Sequence, residues 1–133
     1  MNIQSAIIEG KNFLQNKYIQ TAQLDSEILM AKVLGTNREY IILNNDKKLE
    51  DKHFEYFSRL IEERATKKPI AYLLNKKFFW NNEFFVTEDT LIPRPDTEVV
   101  IEQILKLTKY KNKINILDIG VGSGCILLTI LRE

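Results

Sequence analysis

Residues 114–133, INILDIGVGSGCILLTILRE, constrain the fold more than any other stretch of this chain. A short apolar run ends in the acid Asp118, glycines follow at alternate positions, and a second apolar run opens at Cys125. The first run reads as a buried strand, the glycines as a tight turn, and the second run as the start of a helix. Strand, turn and helix in that order form the opening unit of a parallel α/β sheet. One strand cannot complete such a sheet, because the backbone groups along its edges need partners.

The chain ahead of this unit has a helical texture. From Asn2 to Leu14 the residues Ile3, Ile7, Ile8, Phe13 and Leu14 recur mostly at helical spacing, and Leu24, Ile28, Leu29 and Val33 do so from Thr21 to Leu34. Gly35 follows where a left-handed C-terminal residue is wanted, and Thr36 is placed to cap a short helix over Arg38–Leu43. Between Leu49 and Arg64 the residues Phe54, Phe57, Leu60 and Ile61 share one stripe, opposite Glu55, Arg59 and Glu62. Residues 1–64 are therefore expected to form a helical bundle whose apolar stripes are packing surfaces.

Aromatic and β-branched runs then replace helical spacing. Phe78, Phe79 and Trp80, and again Phe84, Phe85 and Val86, flank Asn81 and Asn82, which predicts a hairpin turning at the Asn pair. Residues 65–90 read as a semi-rigid connector. Next, Pro93 and Pro95 hold the backbone extended around Arg94. Asp96 or Thr97 can then cap a helix carrying Val99, Val100, Ile104 and Leu107, with residues 91–133 opening a further domain.

Composition removes several function classes. With 44% hydrophobic and 28% charged residues the chain has the make-up of a globular domain, so wholesale disorder is not expected. Nineteen basic residues against eighteen acidic leave no dominant surface for nucleic acid or acidic lipid. The lone Cys125 cannot form an internal disulfide, and His53, the only histidine, has no cysteine cluster with which to hold a metal. The start, MNIQSAIIEGKNF, lacks the features of a signal peptide, and no run approaches the roughly 18 apolar residues of a membrane span. A reducing, cytoplasmic setting without membrane contact is the expectation.

The residues with the clearest chemistry are Asp118, Gly120, Val121, Gly122, Ser123 and Gly124. Alternate glycines let the backbone turn tightly, leave no Cβ in the way of a ligand, and aim amide N–H groups at negative charge. The dinucleotide fingerprint would place its third small residue at Cys125, which is larger than Gly or Ala. Asp118 would repel a pyrophosphate but suits the ammonium end of S-adenosylmethionine; alternatively its carboxylate only accepts hydrogen bonds from loop amides. Cys125 reads as a small packing residue rather than a reactive thiol.

At this point the chain resembles a known family. ILDIGVGSG is similar to the first motif of class I S-adenosylmethionine-dependent methyltransferases. LIPRPDTE, followed by a helix and that motif, resembles the HemK/PrmC family, the glutamine methyltransferases of peptide chain release factors. AQLDSEILMAKVLG and ERATKKPIAYLLNKKFFWNNEFFV resemble the N-terminal region of that family in order and spacing. The resemblance implies a mainly α chain: a helical bundle, a β-hairpin connector and the first strand, turn and helix of a Rossmann-like methyltransferase domain. It implies that Gly120 to Gly124 line the methionine end of the cofactor, with Asp118 near its amino group. Pro93 to Glu98 would lie beside that pocket, and the bundle would recognise a class 1 release factor, with no direct nucleic-acid contact.

The departures bear on activity. The Asn-Pro-Pro-Tyr motif that holds the glutamine in that family does not occur, since the only prolines are Pro69, Pro93 and Pro95. Nor is there an acidic residue about 20 positions beyond the glycines to bind a ribose. The expectation is an N-terminal portion of a longer enzyme, inactive alone and carrying no catalytic residue. Two alternatives are a non-catalytic helical domain that docks a translation factor, and an adenine-directed nucleic-acid methyltransferase of the same superfamily. An NAD-dependent oxidoreductase is disfavoured by Asp118 and Cys125.

Overall fold

Asn2 starts the first helix: its side-chain Oδ1 accepts the Ser5 N–H at 2.8 Å, satisfying one of the donors that a helix start leaves unpaired. In the computed structural model, which describes residues 1–133, this helix is α1, Ile3–Asn16. It is followed by α2 (Ala22–Val33), α3 (Arg38–Leu43), α4 (Asp51–Ala65) and α5 (Ile70–Leu74). Then come strands β1 (Lys76–Phe79) and β2 (Asn82–Phe85), and helices α6 (Glu98–Thr108) and α7 (Cys125–Arg132). The chain divides into two units, Met1–Leu74 and Asn75–Glu133, so the stretch read as a connector contributes α5 to the first and the hairpin to the second.

In the first unit α2 is the central helix. Ala22, Ser26, Leu29, Met30 and Val33 are buried along it, together with the charged Asp25 and Glu27. Leu24, expected on the inner stripe, is exposed instead. Asp25 is neutralised from α4, where Arg64 Nε donates to its Oδ2 at 2.7 Å, while Thr21 Oγ1 donates to the same oxygen at 2.8 Å. The Arg64 guanidinium also donates through Nη1 to the Lys68 carbonyl at 3.1 Å, tying the α4–α5 turn to the same network. A buried ion needs this degree of pairing, because an unpaired one loses its hydration without return.

Gly10 lets α1 lie close against α4. A Cβ there would stand 2.8 Å from Phe57 Cζ and 3.0 Å from Ile61 Cδ1, inside any normal contact. The apolar core around that crossing contains Ala6, Leu14, Phe57, Leu60 and Ile61. Past α2, Gly35 takes φ +61°, the expected left-handed residue. The cap of α3 is Asn37 rather than Thr36: the Asn37 side chain accepts the Tyr40 N–H at 2.9 Å, and Asn37 itself is extended at φ −103°.

In the second unit β1 and β2 pair antiparallel, with Lys77 opposite Phe84 and Phe79 opposite Asn82. Alternation puts Phe79 and Phe84 on one face, where their rings meet edge to face at 6.2 Å, and leaves Phe78 and Phe85 on the other. The buried pair joins Ile101, Cys125 and Ile130 in a second small core. The turn lies one residue earlier than predicted, since Trp80, not an Asn, has the positive φ of 54°.

Two further expectations change. A 3₁₀ turn over Pro95–Thr97 leads into α6, which has no side-chain cap from Asp96 or Thr97. Its fully buried residue is Ile101, while Val99, Val100 and Leu107 face solvent. Residues 114–120 form no strand: Leu117 is 84% and Ile119 86% exposed. The reason is that a strand exists only against a neighbour, and the sheet of this chain consists of β1 and β2 paired with each other.

Candidate functional site

The segment from Asp118 to Gly124 turns through glycines that L side chains could not replace without strain. Gly120, Gly122 and Gly124 have φ of +77°, +55° and +78°. This left-handed region costs other residues roughly 1–2 kcal/mol. The Gly124 N–H donates to the Val121 carbonyl at 2.8 Å, which closes the last turn before the helix. Gly124 is the N-terminal residue flanking α7 and supplies no side-chain cap, and its carbonyl accepts the Leu128 N–H at 2.9 Å. The first-turn amides of α7 therefore point out of the helix toward the loop, where they favour an anion.

The glycines also differ in what surrounds them. A Cβ at Gly120 would meet nothing within 4 Å, and one at Gly122 only the Gly120 carbonyl oxygen at 3.9 Å. At Gly124 it would press on Leu128 Cδ1 at 3.0 Å, so that glycine serves helix packing. Gly120 and Gly122 thus leave the outer side of the turn open, a cradle of bare backbone.

Asp118 supplies the charge. Its Oδ2 is shielded from solvent and has no hydrogen-bond partner, while the residue as a whole is half-buried. A shielded carboxylate oxygen is satisfied by a hydrogen-bond donor, and a cationic donor suits it best. Val121 is exposed and Ser123 half-buried. Of the six residues singled out from sequence, Gly122 and Ser123 line a depression of about 640 Å³, and the other four lie outside its wall.

The rest of that wall is one that sequence reasoning did not assign. Phe84 and Phe85 of the hairpin line it, together with Leu128 and Arg132 of α7. The aromatic density of the hairpin was the available signal, but periodicity alone does not say which element an aromatic strand packs near. A second unassigned link sets the hairpin in place: Glu98 Oε1, at the end of LIPRPDTE, accepts the Trp80 backbone N–H at 2.7 Å. Arg94, Pro95 and Asp96 of the same motif are exposed, and Pro93 is buried.

Comparison with known proteins extends these observations. The family model described as the PrmC N-terminal domain matches residues 5–74, which coincides with the helical unit. A release factor glutamine methyltransferase of Leptospira interrogans is 38% identical over 128 residues, covering 94% of this chain and 44% of that protein. One from Buchnera aphidicola is 37% identical over 130 residues, covering 98% of this chain and 46% of the relative. A bifunctional methyltransferase of Rickettsia bellii is 32% identical across 99% of this chain and 28% of its own length. The chain thus spans less than half the length of each of these curated relatives.

Proposed function

Because this chain belongs to the PrmC N-terminal domain family, we propose that it is the N-terminal part of an S-adenosylmethionine-dependent methyltransferase that modifies a glutamine of a class 1 peptide chain release factor. The helical residues 1–64 recognise the protein substrate, residues 65–90 connect, and residues 91–133 begin the cofactor domain. The single observation carrying the cofactor assignment is the buried, unpartnered Asp118 Oδ2 beside an open glycine turn.

Those residues fit the group. Asp118 holds the ammonium end, a charge-assisted bond that satisfies the orphaned oxygen. The cofactor's carboxylate suits the uncapped first turn of α7, and Gly120, Val121, Gly122 and Ser123 flank it with backbone rather than bulk. When bound, S-adenosylmethionine supplies an electrophilic methyl group on its sulfonium.

The acceptor is harder to activate. An amide nitrogen is a poor nucleophile because its lone pair is delocalised, so a site must align it and accept its N–H hydrogens as positive charge develops. Asn-Pro-Pro-Tyr, the motif expected to do this, is absent from the 133 residues. This chain's contribution is accordingly to bind, orient and present, and methyl transfer requires residues outside it. No helix is long and apolar enough to cross a membrane, and the buried lone Cys125 suits a reducing cytoplasm.

Radiolabelled S-adenosylmethionine tests the reading. A version extended to the length of the relatives methylates a release factor on glutamine, and Asp118→Ala in that version weakens cofactor binding by about tenfold, the loss of one charge-assisted bond. Methyl transfer by the 133-residue chain alone would place catalysis within it and overturn the assignment. Unchanged cofactor affinity in the Asp118→Ala variant would overturn the site.

A further inference from the structure

The helical unit carries a groove that the cofactor reading leaves unused. It lies between α1 and α4, holds about 180 Å³, and is lined among others by Glu9, Gly10, Phe13, Phe54, Phe57 and Glu62. At its base α1 and α4 touch, with Gly10 packed directly against Phe57 and Ile61. Phe57 closes the bottom, whereas Phe13 is 42% exposed and Phe54 half-buried, so two aromatic walls stand open to solvent.

The charge at the groove is of one sign. Glu9 and Glu62 are its only charged lining residues, one from each helix, and both are exposed. Neither has an ionic partner. The acids that do pair in this unit are Asp25, Glu27, Glu50 and Glu63. Arg59, one turn before Glu62, lies over the Tyr56 ring at 5.5 Å instead. Lys17 stands 6.0 Å from the Phe13 ring centroid, at the outer reach of a cation–π contact.

Volume and charge together select an occupant. Small-molecule sites run to about 300–1,000 Å³, whereas a cavity of about 150 Å³ takes one benzene-sized group. The groove therefore suits a single large apolar side chain. Two unpaired carboxylates at its mouth repel an acidic or phosphate-bearing ligand and attract lysine or arginine.

Resting on the reading that this unit presents a protein substrate, we propose that the α1–α4 groove docks a segment of the release factor in which one large apolar side chain lies between cationic ones. The apolar side chain lies between Phe13 and Phe54, and its basic neighbours pair with Glu9 and Glu62. The carboxylates set orientation and rate of encounter, and the aromatic walls supply the burial.

Titration of a class 1 release factor into the 133-residue chain, followed by fluorescence anisotropy of the labelled factor, tests this. Glu9→Lys/Glu62→Lys raises the Kd at least about tenfold, and Glu9→Gln/Glu62→Gln raises it less. Glu39→Lys/Glu102→Lys, the same charge change on other surfaces, leaves it unaltered. Added salt weakens the unaltered chain more than the double Gln variant. Phe13→Ser weakens binding without changing that salt dependence. Circular dichroism shows each variant folded, as exposed positions allow. Binding that ignores both Glu9→Lys/Glu62→Lys and Phe13→Ser overturns the groove while leaving the methyltransferase reading intact. No binding by the unaltered chain also overturns it, and methyl transfer by the extended protein then judges the reading separately.

Discussion

The Trp80 backbone N–H donates to Glu98 Oε1 at 2.7 Å, linking the hairpin turn to the first residue of α6, eighteen positions away. Trp80 needs that support. At φ 54° it occupies a region that costs a bulky L residue roughly 1–2 kcal/mol, and its indole Nε1 donates to Glu133 at 2.8 Å as a second tether.

Replacing Glu98 should release the turn. A hydrogen bond to a charged acceptor contributes about 1.5–3 kcal/mol when both groups are shielded, less here because the pair is only part-buried. Glu98→Ala is expected to lower the stability of the second unit by about 1–2 kcal/mol and to shift the emission of the sole tryptophan. Glu98→Gln, which keeps an acceptor oxygen, should lose about half as much. Identical emission and denaturant midpoints for the Ala variant and the parent would show that the turn holds itself.

The Asp25–Arg64 pair predicts asymmetric costs. Side-chain exposures of 5% and 15% leave either partner stranded once the other is gone, a loss of about 3–5 kcal/mol. Asp25→Leu and Arg64→Met should each reach that range in urea denaturation, whereas Asp25→Leu/Arg64→Met, which removes both charges, should recover much of it. A double variant as unstable as the sum of the singles would mean that the two act independently.

What was legible in the sequence was what depends on near neighbours. Period-3.6 stripes located α1, α2 and α4, α3 fell on Arg38–Leu43 as read, and the alternate glycines took left-handed backbone. What was not legible depends on distant partners. Asp25 looks like a surface acid until Arg64, 39 residues on, is known to face it. The hairpin turn falls on Trp80 because Glu98 holds its amide, against local preference for an Asn. INILDIG has the composition of a buried strand, yet burial is conferred by neighbouring strands, and Ile119 and Leu117 lie exposed.

Gly10 offers a test of the α1–α4 crossing. In an exposed helix, Gly→Ala would gain about 1 kcal/mol from propensity. Here the new methyl would stand 2.8 Å from Phe57 Cζ, and forcing extra volume into a packed core costs about 1–3 kcal/mol. Gly10→Ala should therefore lower the thermal midpoint, and Phe57→Leu should be less harmful in its presence than alone, a coupling of at least about 0.5 kcal/mol. A stabilised Gly10→Ala variant would mean that the helices sit farther apart than this geometry requires.

The glycine turn separates conformational demand from space. Gly120 and Gly124 share nearly the same φ, +77° and +78°, but a Cβ meets nothing at the first and Leu128 at the second. Gly120→Ala should lose only the left-handed penalty of roughly 1–2 kcal/mol, and Gly120→Asn less, because asparagine tolerates that region better. Gly124→Ala should add a packing loss in α7, visible as reduced helical ellipticity and earlier denaturation. In the extended protein the order should reverse for cofactor affinity: any side chain at Gly120 fills the open cradle, so Gly120→Asn binds more weakly than its stability suggests, whereas Gly124→Ala binds in proportion to the fraction folded. Calorimetric titration with S-adenosylmethionine at a temperature where both variants are folded distinguishes the two, and equal affinities would detach the cradle from the ligand.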